Sequence, residues 1–155
     1  MQVTGKIRVH APQSDVFAFA QNVALLTQCI EGCRDLQERG DGTYAARIEA
    51  QIAFLRMTFN VTVALARVEP PHVLEARITG SPANLAGKVD ARATLTLEPV
   101  DAGETDVTYA LDLSLAGKLG GMGESVFRAK AKEYGDRFAA CLRDAVESRQ
   151  AEKTL

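Results

Sequence analysis

The chain opens on strict alternation. Over residues 2–10, Val3, Gly5, Ile7 and Val9 alternate with Thr4, Lys6, Arg8 and His10, the period-two pattern of a strand with one face buried. Pro12 then suits a first helical turn, where a missing N–H leaves nothing unpaired. Val16, Phe17 and Ala20 share one face of a short helix, and Asn22 is placed to cap a second one carrying Val23, Leu25 and Leu26. A short strand fits residues 34–39, and five longer ones follow, over 43–54, 56–68, 72–80, 87–98 and 105–115. Each repeats the alternation: Tyr44, Ala46, Ile48, Ala50 and Ile52 in the first, Met57, Phe59, Val61, Val63 and Leu65 in the second, Leu74, Ala76 and Ile78 in the third. Val89, Ala91, Ala93, Leu95 and Leu97 carry it in the fourth, and Val107, Tyr109, Leu111, Leu113 and Leu115 in the fifth. Gly40-Asp41-Gly42, Pro70-Pro71, Gly80-Ser81-Pro82 and the stretch from Pro99 to Gly103 supply turns. Clean alternation and short turns predict an antiparallel meander with one wet face.

From Gly123 to about Gln150 the period changes. Phe127, Ala131, Tyr134, Phe138, Cys141 and Ala145 recur at spacings of three and four, one apolar stripe on a helix roughly 40 Å long. It is the one large apolar surface available to cover the sheet. The predicted fold is therefore α+β, a helix-grip: a curved antiparallel sheet wrapped around a long C-terminal helix, closed by a short N-terminal helical hairpin. One domain over residues 1–150 with a polar end at 151–155 accounts for the chain. The inward phase is rich in alanine, namely Ala46, Ala50, Ala76, Ala91 and Ala93. Small residues under a helix mean either close approach or empty space. Phe59, Tyr109 and Phe138 are bulky neighbours that would prop the helix away, so a cavity is expected.

Composition narrows the function classes. The 155 residues are 46% hydrophobic and 25% charged, which excludes a mostly disordered chain. No apolar run approaches the roughly 20 residues of a membrane span. A net charge of -2 offers no global field for nucleic acid, and with no Trp and 6% aromatics there is little to stack bases on. The alternating start lacks the apolar core of a signal peptide. Three cysteines, Cys29, Cys33 and Cys141, are too few and too odd for a secreted framework. The expected location is cytoplasmic, with at most transient, peripheral contact at the inner membrane face.

No catalytic cluster stands out. Cys29 and Cys33, four apart, lack the further ligands of a zinc site and read as small packed hydrophobes. His10 and His72 read as exposed, without a Ser or Cys partner. Glu49, Asp90 and Asp112 fall on the outward phase. Gly120-Gly121-Met122-Gly123 lacks the Lys-Ser/Thr of a phosphate loop and reads as a joint. Catalytic residues, metal ligands and cofactors are accordingly expected to be none. Tyr44, Tyr109 and Tyr134 lie on the inward phase, where a hydroxyl wants a partner and can orient a ligand carbonyl. Lys130, between the helix faces, is expected to snorkel outward. Met122, Val126 and Phe127 would cap the cavity. The expected ligand-binding set is Ala46, Ile48, Ala50, Phe59, Val61, Ala76, Ile78, Val89, Ala91, Tyr109, Leu111, Met122, Val126, Phe127 and Tyr134.

Ala11-Pro12 before the first helix, the run Leu26-Thr27-Gln28-Cys29-Ile30-Glu31-Gly32-Cys33, residues 48–59 and the Gly117–Gly123 entry to the helix resemble the carbon monoxide dehydrogenase G-subunit family. That family lies within the START/polyketide-cyclase (SRPBCC) superfamily. The resemblance spans almost the whole chain. Its most specific element is the Cys-Ile-Pro-Gly-Cys signature, in which this chain has Glu31 for the usual Pro, making a less rigid turn. It implies a helix-grip with an apolar cavity and a role beside aerobic carbon monoxide dehydrogenases or related molybdenum hydroxylases. The function so implied is non-catalytic binding of a lipid-like or quinone-like molecule, with molybdenum hydroxylase subunits as partners. A recruitment or maturation factor without its own ligand is the alternative, and a cyclase- or hydrolase-type enzyme ranks third.

Overall fold

In the computed structural model, which describes residues 1–153, seven strands form one antiparallel sheet. In chain order they are β1 (Gln2–Val9), β2 (Cys33–Glu38), β3 (Thr43–Ile52), β4 (Leu55–Glu69), β5 (Val73–Pro82), β6 (Gly87–Asp101) and β7 (Glu104–Gly117). Their spatial order is β1-β7-β6-β5-β4-β3-β2, so β2 to β7 make the predicted meander and β1 adds to its far edge. Between β1 and β2 lie α1 (Gln13–Ala20), α2 (Val23–Leu26) and a 3₁₀ turn at Thr27–Cys29. Asn22 caps α2 as its sequence position suggests, its side chain accepting from the Leu25 N–H at 3.2 Å. The final helix, α3, runs Glu124–Lys153 and is about 45 Å long.

The turns hold two departures from the sequence reading. Gly80, Ser81 and Pro82 stay in β5, paired with Val61, Asn60 and Phe59, and the chain reverses over 83–86 instead. Between β3 and β4 the reversal falls at Ala53-Phe54, closing on the Ile52–Leu55 pair. No Gly or Pro marks it, and Ala53 adopts φ 55, a conformation strained for a residue with a Cβ. The expected polar end is also different: residues 151–153 continue α3. Thr154 and Leu155, the rest of that end, lie outside the described residues.

One expectation about the cysteines is corrected. Cys29 and Cys141 are disulfide-bonded, with Cα atoms 5.4 Å apart, and Cys33 is the free thiol. The fold brings the 3₁₀ turn against the middle of α3, across 112 residues of chain, a proximity that no local spacing encodes. The bond ties the helical hairpin to the helix that covers the sheet.

The interior falls into two clusters. One gathers Val9, Val16, Phe17, Leu97, Val107, Leu142 and Val146 where α1 and the C-terminal half of α3 meet β1, β6 and β7. The other gathers Ala46, Ala50, Met57, Phe59, Val61, Ala91, Leu113 and Phe127 beneath the first half of α3.

Candidate ligand-binding site

The small residues expected on the inner face of the sheet leave space. A cavity of about 320 Å³ lies between α3 and the strands, within the size range of small-molecule sites. Its floor is the inward phase of β3 to β7: Ile48, Ala50 and Ile52, then Phe59, Val61, Val63 and Leu65, then Leu74, Ala76 and Ile78, then Val89, Ala91, Ala93 and Leu95, then Tyr109, Leu111, Leu113 and Leu115. Its roof is one stripe of α3, Phe127, Lys130, Ala131, Tyr134, Gly135 and Phe138, at the spacings that align side chains on a helix. One side is closed by Ala20 of α1 and by Val23, Leu26, Thr27 and Ile30 around α2.

Of the residues expected to bind ligand, Ile48, Ala50, Phe59, Val61, Ala76, Ile78, Val89, Ala91, Tyr109, Leu111, Phe127 and Tyr134 line this cavity. Ala46, Met122 and Val126 do not; they pack into the adjoining apolar cluster. Met122 belongs to a 3₁₀ turn, Gly120–Met122, before α3 begins, and Val126 sits past the edge of the lining stripe. The strand residues missed, such as Ala93 and Leu95, share the phase already recognised. Val23 and Leu26 of α2 were legible as helical, but a four-residue helix has no periodicity to tell which side meets the cavity.

The polar groups are few. Tyr109 stands directly beneath α3. Its ring lies between Gly5 of β1 and Gly135 of α3, where a Cβ on either glycine would collide with it. The hydroxyl emerges beyond, donating to Asp136 at 2.8 Å, while Lys132 Nζ lies 2.9 Å from Asp136, 3.0 Å from the Thr4 carbonyl and 3.4 Å from the phenol. Burial, reinforced by the bond to Asp136, pushes the Tyr109 pKa up, while Lys132 and then Tyr109 hold Asp136 below the usual carboxylate range. This network latches α3 to β1 and β7 and faces away from the cavity's apolar floor. Tyr134 is different: its hydroxyl donates to the Glu49 carbonyl at 3.4 Å, and burial raises its pKa.

Lys130 contributes its stem to the cavity wall, is 28% exposed, and carries its ammonium to Glu133 at 3.2 Å. The other charged lining residue is Glu75, on the outward phase of β5 and 3.8 Å from Arg92. His10 and His72 are exposed, against Glu104 and Gln13 respectively. Glu49 pairs with Arg34, and Asp90 with Arg77. Burial raises the pKa of Cys33, which favours the unreactive thiol over the thiolate. Among the described residues, no group of three or more His, Cys, Asp or Glu side chains gathers as a metal site, and no helix is long and apolar enough to cross a membrane.

Comparison with known proteins places this architecture. A conserved protein from Geobacillus kaustophilus superposes with a TM-score of 0.84 at 21% identity, covering 96% of each chain. A START superfamily protein from Mycobacterium smegmatis gives 0.63 at 15% identity over 95% of this chain and 97% of that one. The Zhui aromatase/cyclase from a Streptomyces species gives 0.62 at 17% identity over 100% and 96%. At these identities the likeness shows the fold alone, a START-like helix-grip. No curated protein matches the sequence. The family model for the carbon monoxide dehydrogenase G-subunit (CoxG) matches residues 5–147, from the first strand to the last turns of α3, and by that match the chain belongs to the CoxG family.

Proposed function

We propose that this protein is a non-catalytic binding accessory whose cavity holds a lipid-like or quinone-like molecule, in the service of an aerobic carbon monoxide dehydrogenase or related molybdenum hydroxylase. The observation that carries the reading is the cavity of about 320 Å³ with an almost wholly apolar lining. Such a space favours an apolar body and leaves a few polar groups to orient it. Membership of the CoxG family supports the link to the enzyme. We place its action in the cytoplasm, with peripheral contact at the inner membrane face where a lipophilic guest would be exchanged. Native mass spectrometry of gently purified protein tests it: a co-purifying lipophilic mass, displaced by an added apolar probe, is expected. Failure to find or load any such molecule counts against the reading.

One observation favours a second role, recruitment or maturation of the partner enzyme. Phe54 is 99% exposed at the β3–β4 tip, beside the half-exposed Leu55, an apolar projection that the described residues leave uncovered. If Phe54→Ser abolishes co-purification with hydroxylase subunits while ligand loading persists, the tip serves docking and the cavity a separate task.

A further inference from the structure

Phe54 stands 99% exposed at the apex of the β3–β4 reversal, with Leu55 beside it at 50%. Two further loops lie at the same end of the sheet. The 83–86 turn is joined to the start of β4 by the Ala83 N–H, which donates to the Thr58 carbonyl at 2.8 Å. The exit of β7 is joined to that turn by the Lys118 N–H, which donates to the Ala86 carbonyl at 3.1 Å. The charged residues of these three segments and their flanks are Arg56, Lys88 and Lys118, all exposed. None of them makes an ion pair among the described residues. The first carboxylate beyond them, Glu124, is held by Arg128 at 2.9 Å. The turns at the opposite end of the sheet and their flanks carry Asp41, Glu69, Asp101 and Glu104 against Arg39. A chain of net charge -2 thus gathers unneutralised cations around its most exposed aromatic ring.

From this end we infer that the protein meets an anionic phospholipid surface: Phe54 and Leu55 enter the boundary between headgroups and acyl chains, and Arg56, Lys88 and Lys118 meet the phosphates. The inference rests on the reading that a lipophilic guest is exchanged at a membrane, and it names the surface that makes the contact. Charge favours a bilayer over a protein partner. Lysine is depleted from the cores of protein interfaces, whereas each Lys or Arg close to an anionic bilayer strengthens binding about fivefold. A projecting ring also needs no matching groove in a bilayer, where apolar side chains lie in the interfacial layer. The tip is joined to the cavity as well. Ile52, paired with Leu55 at the foot of the reversal, belongs to the cavity lining, so a docked tip sets that end of the cavity against the lipid.

Sedimentation with vesicles tests it, using pure phosphatidylcholine and an equal mixture of phosphatidylcholine and phosphatidylglycerol at low salt. The wild type is expected to sediment with the mixed vesicles, to leave pure phosphatidylcholine unbound, and to be released as salt screens the charges. Phe54→Ser should weaken binding at least about tenfold, the worth of one aromatic ring withheld from an apolar environment. Because that ring is exposed, the urea melt of the variant should not move. Arg56→Gln combined with Lys118→Gln should weaken binding about 25-fold, about fivefold for each charge. Asp101→Asn, at the opposite end, should leave binding unchanged, which separates an oriented contact from an effect of net charge. Equal binding to both vesicles, binding to neither, or binding that survives Phe54→Ser overturns the assignment. Loss of hydroxylase co-purification in Phe54→Ser, without vesicle binding by the wild type, gives the tip to a protein partner instead. Vesicle binding is read without a guest, so its failure leaves probe loading of the cavity standing. Failed loading with intact vesicle binding sinks the cavity reading alone.

Discussion

Beneath α3 the interior is built in two ways. Toward the C-terminal half of the helix, Leu142, Val146, Leu97, Val9 and Val16 are wholly or almost wholly buried, because α1 inserts Val16, Phe17 and Phe19 into the gap between helix and sheet. Toward the N-terminal half no such element is interposed among the described residues. There the strands present Ala50, Ala76, Ala91 and Ala93, and the space above them stays unfilled. The sheet is continuous beneath both regions, so strand pairing does not make the difference. What differs is the height of the helix relative to the side-chain volume below it. That height is set by the filled end, by the Cys29–Cys141 bond, and by Tyr109 seated between Gly5 and Gly135. Pinned at these points, α3 cannot settle onto the alanines. A protein can thus hold a cavity at one end because it is tightly packed at the other.

Breaking the filled end should have the largest effect. Leu142→Ala removes a wholly buried side chain from close packing, and a loss of about 3–5 kcal/mol is expected in urea unfolding. The disulfide comes next. Cys141→Ala is expected to lower stability by about 2–4 kcal/mol, as for closure of a long loop. A reductant should impose the same loss on the wild type and none on the variant; alkylation of only one thiol in the untreated wild type would confirm the bond. Gly135→Ala sharpens the comparison through its sign. In an ordinary exposed helix interior this change stabilises by about 1 kcal/mol. Here the added methyl meets the Tyr109 ring, and a loss of about 1–3 kcal/mol is expected from overpacking. The smallest change in stability should come from the open end. Ala91→Phe places a ring where the cavity has room, so thermal and urea melts should shift by less than about 1 kcal/mol, while binding of a lipophilic probe falls at least about tenfold. A destabilisation of about 1–3 kcal/mol with no probe binding to lose would mean that both regions are close-packed.

Alternation and the stripe of three-and-four spacings were enough to recover the sheet, its inward phase, the covering helix and most of the cavity floor. Both signals are local: a strand's side chains alternate and a helix's recur every 3.6 residues whatever lies opposite. The signature around Cys29 and Cys33, with the helix entry, was specific enough for the family. Distance between elements leaves no such trace. The β3–β4 reversal at Ala53-Phe54 carries no turn residue, because pairing of Ile52 with Leu55 imposes it. The α2 wall, the place of Lys130 at the lining and the junction of Cys29 with Cys141 depend on how far α3 and the hairpin stand from the sheet. Alanine on an inward phase is compatible with contact and with emptiness alike. The sequence by itself determined which faces look inward and how small they are. Only the tertiary structure decided that the space above them stays open, because an interior volume depends on the separation of packed elements, which no single element's periodicity contains.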